Sequence, residues 1–275
     1  MKNFIRLTDL QLDDVYEIFR IADEISSGTC SGFFNGKSAI LFFPASSIRT
    51  RVTFERGIYL LGGQSILFPN DALDKKEDIR DVCGYLNHWA DIVVIRHKDI
   101  RLIERFAKHS EVPVINGMTD RNHPCEILSD LYSLSKMRGR LTEDRYLFCG
   151  KSGNIGLTWK DASELMGFEF SQCCGTGYEM EGVEVYYDIR TAIRGKDVIC
   201  TDSLSAEEVR DFKDCQVTRE VMGLANANAV LNPCPPFYRG EEVSDDVMQS
   251  NYFVGYEFKR DLLAIQQAIM IWCMM

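Results

Sequence analysis

The sequence predicts an α/β protein of two domains, each a parallel sheet flanked by helices, and three observations carry that reading. Short, continuously apolar runs, SAILFF, QSILF, DIVVIR and VPVIN, recur through the first half and read as strands buried on both faces. Stretches of helical pattern separate them, as in a chain of βαβ units. After a polar, turn-rich connector, GRLTEDR, the alternation restarts with RYLFCG, FEFSQCC, VEVYY, DVIC and NAVLN. Parallel neighbours need crossover connections, so two such series make two sheets. The connector sets the expected domains at 1–138 and 139–256. The expected ligand site is a cleft at the C-terminal ends of the strands.

Taken in order, the first 22 residues read as a helix with a start signal at Thr8-Asp9 and an apolar face of Leu12, Val15, Ile18 and Phe19. SAILFF then feeds FFPASSIRTRVTFERG, where a helix begins near Ser47 and continues through Val52, Ile58 and Leu61. KKEDIRDVCGYLNHW and EILSDLYSLSKM supply further helices. No repeat or low-complexity segment interrupts the pattern.

Composition narrows the function. A chain of 275 residues, 45% hydrophobic and 26% charged, has ample material for two cores. A formal net charge of −10 and a pI near 5.0 argue against a nucleic-acid partner. The start, MKNFIRLTDLQLDD, lacks the apolar core of a signal peptide, and LLAIQQAIMIWCMM at the end is too short for a membrane span. The reading is a cytoplasmic protein with no membrane partner. Ten cysteines occur without a CxxC pair, which suits reduced, mostly buried thiols. His88, His97, His109 and His123 show no metal-ligand spacing, so neither a metal nor a cofactor is expected.

Against this acidic background, Ser46, Ser47, Arg49, Thr50 and Arg51 gather where a strand hands over to a helix. Unpaired N–H groups and the positive dipole end make that junction an anion site. Hydroxyls and guanidinium forks match phosphate oxygens in charge and geometry. Other polar residues fall at comparable places. Arg96 ends DIVVIR; His123 and Pro124 follow VPVINGMTDRN; Asp202 follows DVICT; Cys234 lies in NPCPPFYRG, with Arg239 close behind. Each alone reads as a solvated loop charge or a cap, but together they put several polar groups on one rim. GKSGNIG invites nucleotide readings that fail: Arg145 occupies the place of the first P-loop glycine, and the spacing is not that of a dinucleotide fingerprint.

With these residues in view, the chain resembles the aspartate and ornithine carbamoyltransferases, nearer the ornithine branch, over nearly its whole length. The family's Ser-Thr-Arg-Thr-Arg motif is matched by Ser47-Ile48-Arg49-Thr50-Arg51. Its His-Pro-x-Gln motif is matched by His123-Pro124-Cys125-Glu126, followed by Asp130-Leu131. Its His-Cys-Leu-Pro loop is matched by Pro233-Cys234-Pro235-Pro236 and the run from Arg239 to Val243, and its lysine loop by Lys76-Glu77. The resemblance implies two Rossmann-like domains with the active site between them and the C-terminal helix, 257–275, packing back on the first. It also implies transfer of the carbamoyl group of carbamoyl phosphate to a small amine or amino acid, with ornithine the leading acceptor, in a homotrimer with shared active sites. By that resemblance Ser47, Ile48, Arg49, Thr50, Lys76, Arg96, His123, Glu126, Pro235 and Arg239 bind carbamoyl phosphate, with Lys76 reaching in from a neighbouring subunit. Arg96, Thr50, His123 and Cys234 act in catalysis, and Asn154, Asp202 and Cys234 hold the acceptor.

Four departures from the pattern concern the chemistry. Ile48 removes a hydroxyl from the phosphate cradle but leaves its N–H. Glu126 replaces a glutamine and adds negative charge beside an anionic ligand. Pro233 replaces a histidine. The Ser-Met-Gly loop expected after Asp202 is shortened to Asp202-Ser203-Leu204-Ser205-Ala206. Lys151 stands where an acidic residue is common; an ammonium there would favour an acceptor with an additional anionic group, and a solvated lysine is the plainer reading. The rival to an active transferase is a carbamoyl-phosphate-binding regulatory or structural paralogue with impaired turnover.

Overall fold

Helices and strands alternate through the described residues of the computed structural model, 2–28 and 32–275. The chain divides into two compact units, Met1–Tyr132 with Arg260–Met275, and Ser133–Lys259. The first half runs α1 (Leu12–Ser26), β1 (Ser38–Phe42), α2 (Arg49–Leu60), β2 (Gln64–Phe68), α3 (Ile79–Leu86), β3 (Ile92–Arg96), α4 (Ile100–His109), β4 (Val114–Met118) and α5 (Pro124–Arg138). The second half runs β5 (Tyr146–Cys149), α6 (Asn154–Met166), β6 (Phe170–Cys173), β7 (Glu184–Tyr186), α7 (Ile189–Ala192), β8 (Val198–Thr201), α8 (Glu208–Asp211), α9 (Arg219–Met222), β9 (Val230–Pro233), α10 (Asp245–Met248), α11 (Gly255–Arg260) and α12 (Leu262–Met274).

Each unit holds one all-parallel sheet, ordered β2-β1-β3-β4 in the first and β7-β6-β5-β8-β9 in the second. The apolar runs form the strands because helices cover both faces: Ala39–Phe42, Ile92–Ile95 and Tyr146–Cys149 are all buried. The strand order reverses between β1 and β3, and again between β5 and β8. At such a switch point two crossovers leave in opposite directions and open a crevice at the strands' C-terminal ends.

The first helix starts later than its sequence predicts. Thr8 and Asp9 belong to a 3-10 turn, Leu7–Asp9, closed by Arg6 N–H donating to Asp9 Oδ2 at 3.1 Å. Leu10 is extended, and α1 begins at Leu12, where Gln11 N–H donates to Asp14 Oδ2 at 2.9 Å. Val15, Ile18 and Phe19 are buried as expected, whereas Leu12 is exposed. Of the apolar residues that mark α2 in the sequence, Val52 points to solvent, while Ile58 is buried beside Phe54.

Helix α5 is buried on nearly every side, including Ile127, Leu128, Leu131 and Tyr132 together with Ser129, Asp130 and Ser133. Helix α12 packs against α1 and α2 within the first unit. There Gln267 Nε2 donates to Gly57 O at 3.0 Å, and a Cβ on Gly57 would meet Gln267 Cγ at 3.0 Å, so glycine sets that approach. No helix among the described residues is long and apolar enough to cross a membrane. The nine described cysteines are buried and in no disulfide; Cys30 lies outside the described residues.

Candidate active site

In the first unit, the residues expected to hold an anion converge on the β1/β3 switch point. Ser47 is closed into a turn by its N–H donating to Pro44 O at 3.0 Å, and Ser47 and Thr50 are buried at the start of α2. Arg96 closes β3 at a shift of its register with β4, and its Nη1 donates to Ser47 Oγ at 3.0 Å. That bond spans the crevice and aims a guanidinium at the N-terminal end of α2. Arg49 is exposed at the same end, whereas Arg51 pairs with Glu55 at 2.6 Å. Ile48, at 69% exposure, offers only its backbone to this corner.

His123 and Glu126 are both buried, immediately before and within the first turn of α5. A polar network fixes the turn that delivers them. Asn116 Nδ2 donates to Asn122 Oδ1 at 2.7 Å, Thr119 Oγ1 donates to the same oxygen at 2.8 Å, and Thr119 N–H donates to Asn122 O at 2.8 Å. Lys76 is exposed, between the 3-10 turn Asn70–Asp74 and α3.

His97 was not singled out by its sequence context, yet it organises this corner. It is buried, its Nδ1 accepts Asp99 N–H at 3.1 Å, and its Nε2 lies 3.0 Å from Asp74 Oδ1. An accepting Nδ1 puts the proton of the neutral ring on Nε2, which then donates to Asp74. The segment that carries Lys76 is thereby tethered beside Arg96. A pocket of about 210 Å³, lined by Ser46, Asn70, Arg96, His97 and Thr119 among others, opens at this point.

In the second unit, the candidates fall at the ends of β5, β8 and β9. Asn154 opens α6, whose close approach to β5 requires glycine at Gly156, where a Cβ would sit 2.6 Å from the Phe148 ring and 3.1 Å from Lys151 O. Asp202 follows β8, is half-buried and accepts Ser203 N–H at 2.9 Å; desolvation raises its carboxyl to about 6. Cys234 extends β9, its N–H donating to Thr201 O at 2.9 Å, and is buried; the Pro235-Pro236 bond that follows is cis. Arg239 is exposed, 3.6 Å from Asp245. Lys151, which sequence alone leaves as a solvated lysine or an anion receptor, is instead clamped by Glu208 at 2.7 and 3.0 Å.

Glu242 is a second residue that sequence reading passed over. Its side chain is buried inside the 237–243 turn, where Oε1 accepts Tyr238 N–H at 2.6 Å, and burial raises its carboxyl to about 7. A groove of about 700 Å³ lies at the other end of β9 along Met137, Arg219, Asn228 and Tyr252, and none of these candidates lines it.

Comparison with known proteins divides the chain near the same point. The carbamoyl-P binding domain of aspartate/ornithine carbamoyltransferase matches residues 2–136, and the Asp/Orn binding domain of the same enzymes matches residues 143–273. The chain belongs to the aspartate/ornithine carbamoyltransferase family. Ornithine carbamoyltransferase of Methylobacillus flagellatus is 32% identical, with 98% of this chain and 96% of that protein aligned. That of Methylococcus capsulatus is 36% identical over 84% of each. Among solved structures, ornithine carbamoyltransferase of Burkholderia thailandensis superposes with a TM-score of 0.90 at 28% identity, covering 98% of this chain and 97% of that one. The Pyrococcus furiosus enzyme gives 0.92 at 26% identity, covering 98% and 96%.

Within this carbamoyltransferase frame, the departures acquire a place. Ile48 presents no hydroxyl at the entry to α2. Glu126 puts a carboxylate in the first turn of α5, where the helix dipole favours negative charge. The segment after Asp202 is anchored by Glu208, whose Oε2 also accepts Ser205 N–H at 2.7 Å.

Proposed function

We propose that this protein moves the carbamoyl group of carbamoyl phosphate to the side-chain amine of an ornithine-like amino acid and releases phosphate. The observation that carries the reading is the Arg96–Ser47 hydrogen bond across the β1/β3 switch point, at the opening of α2. It supplies a guanidinium, hydroxyls and helix N–H groups in one crevice, which is the donor set that a phosphate monoester with about two negative charges needs.

The division of labour follows the domains. Residues 1–138, with 257–275, bind carbamoyl phosphate through Ser47, the Ile48 backbone, Arg49, Thr50, Arg96, His123 and Glu126. Residues 139–256 hold the acceptor through Asn154, Asp202 and Cys234, with Pro235 and Arg239 in the loop that contacts the carbamoyl group. The amine lone pair attacks the carbonyl carbon and the carbonyl oxygen becomes negative. Arg96, Thr50 and His123 donate to that oxygen, and such donors act most strongly on the transition state. The carbon–oxygen bond to phosphate then breaks, and the departing phosphate takes the proton lost by the amine. Positioning and polarisation suffice, with no covalent enzyme intermediate.

The assembly we propose is a homotrimer in which Lys76 completes the site of a neighbouring subunit. Exposed apolar residues on the first unit support it: Ile66 and Phe68 on edge strand β2, and Tyr85 and Trp89, stacked at 6.1 Å, on and just after α3. The protein acts in the cytoplasm, where its buried thiols stay reduced.

Phosphate release from carbamoyl phosphate, measured against ornithine, aspartate, lysine, putrescine, agmatine and N-acylated ornithines, tests the reading. Release that depends on ornithine supports it; release equal to the no-acceptor control across the panel, from folded protein, contradicts it.

A further inference from the structure

The segment 203–211 is fastened to the second unit at three points. Ser203 N–H donates to Asp202 Oδ1 at 2.9 Å, Glu208 clamps Lys151, and Tyr178 Oη donates to Asp211 Oδ2 at 2.9 Å. The middle fastening crosses the β5/β8 switch point, because Lys151 follows β5 and Glu208 opens the helix after β8. Lys151 Nζ meets both Glu208 oxygens, at 2.7 and 3.0 Å, and the two side chains are only 34% and 14% exposed. Glu208 is itself preorganised: Oε2 accepts Ser205 N–H at 2.7 Å, and Glu208 N–H donates back to Ser205 Oγ at 3.4 Å.

The charge consequence is specific. Lys151 is close enough to Asp202 for their charges to interact, and so is Glu208. A lysine there with no partner would neutralise Asp202 or receive a carboxylate from a ligand. With both carboxylate oxygens on it, the ammonium is already matched, and the crevice is left negative by Asp202. Desolvation would raise the Glu208 carboxyl, but the Lys151 and Ser205 hydrogen bonds outweigh it and hold it lowered, so Glu208 is a carboxylate at neutral pH.

We propose that Glu208 is a positioning residue that determines acceptor specificity. By clamping Lys151 it lets Asp202 receive an ammonium of the acceptor, and it disfavours acceptors in which that ammonium is replaced by an acyl group bearing a carboxylate. The identity of the acceptor class rests on the carbamoyl-transfer reading above; the clamp and its electrostatic effect do not.

The test separates binding from turnover. Norvaline keeps the α-ammonium and carboxylate but lacks a reacting amine, and N-succinylnorvaline replaces the ammonium with a succinyl carboxylate. Calorimetric Kd values for both, with inorganic phosphate present, are compared in wild type, Glu208→Ala, Glu208→Gln and Lys151→Met/Glu208→Ala. Wild type should prefer norvaline. Freeing Lys151 in either single variant should shift the Kd ratio by about fivefold towards N-succinylnorvaline, the size of a partly exposed ion pair. The double variant, lacking the cation, should return the preference to norvaline.

An unchanged ratio in both single variants would overturn the proposal, as would a shift that persists in the double variant, which would mark a merely structural role. Failure of the wild type to bind either probe would overturn it as well. Failure of carbamoyl transfer itself shows instead as the absence of acceptor-dependent phosphate release.

Discussion

Arg96 and Ser47 illustrate how the site is made from single residues. A guanidinium hydrogen-bonded to a buried serine is oriented before substrate arrives, and a planar fork matches phosphate and carbonyl oxygens better than a point charge. Arg96→Lys should therefore lower kcat by about a hundredfold, the effect of losing an oriented transition-state donor. In the proposed site Arg49, exposed at the first turn of α2, serves binding, so Arg49→Ala should raise KM for carbamoyl phosphate about tenfold or more while circular dichroism stays unchanged. Glu242 makes a separate prediction about stability. Burial raises its carboxyl from 4.5 to about 7, so across that window the folded protein holds a proton that the unfolded chain has released. Its contribution to stability is present below pH 4.5 and is lost as pH rises through about 7. Glu242→Gln keeps an acceptor for Tyr238 N–H and removes the ionisation. Its Tm should fall less than that of the wild type between pH 5 and pH 8, a difference of about 2 kcal/mol at the upper end. Parallel Tm profiles for the two proteins would contradict this.

At the scale of elements, the candidate residues of each unit depend on a helix pressed against the end of a strand. Helix α6 reaches β5 only because Gly156 has no side chain: a Cβ there would lie 2.6 Å from Phe148. Gly156→Ala should cost about 1–3 kcal/mol by overpacking and, by moving Asn154, raise KM for the acceptor more than for carbamoyl phosphate. A melting curve and separate KM values check both. This level of organisation was also the most readable in the sequence. SAILFF, DIVVIR, RYLFCG and DVIC each became a strand because an apolar run in a parallel sheet has no exposed face to blur its pattern. The Ser47–Thr50 turn was legible for the same local reason, a strand end meeting a helix start. The start of α1 was misplaced because Thr8-Asp9 and Gln11-Asp14 offer competing start signals, and the extended Leu10 decides between them. His97–Asp74 and Lys151–Glu208 were out of reach, since partners separated by 23 and 57 positions leave no local pattern.

The whole molecule is an acidic chain, with a formal net charge of −10, that concentrates cations and N–H donors at one crevice of its first unit. In the proposed trimer its exposed aromatic and aliphatic residues are the counterpart at the scale of assembly. Sedimentation equilibrium should give a mass about three times the 31.4 kDa of the chain, and Trp89→Glu combined with Ile66→Glu should shift it towards the monomer and reduce turnover. A monomeric wild type with full activity would refute the trimer and the role given to Lys76 together. The central claim is the transfer itself, and the fate of the carbamoyl carbon tests it most directly. With carbon-13 carbamoyl phosphate and ornithine, the NMR signal should move to a ureido carbon, one for each phosphate released, and Arg49→Ala should slow both together. Label appearing only as bicarbonate, with no ureido product, would show hydrolysis without transfer and contradict the account.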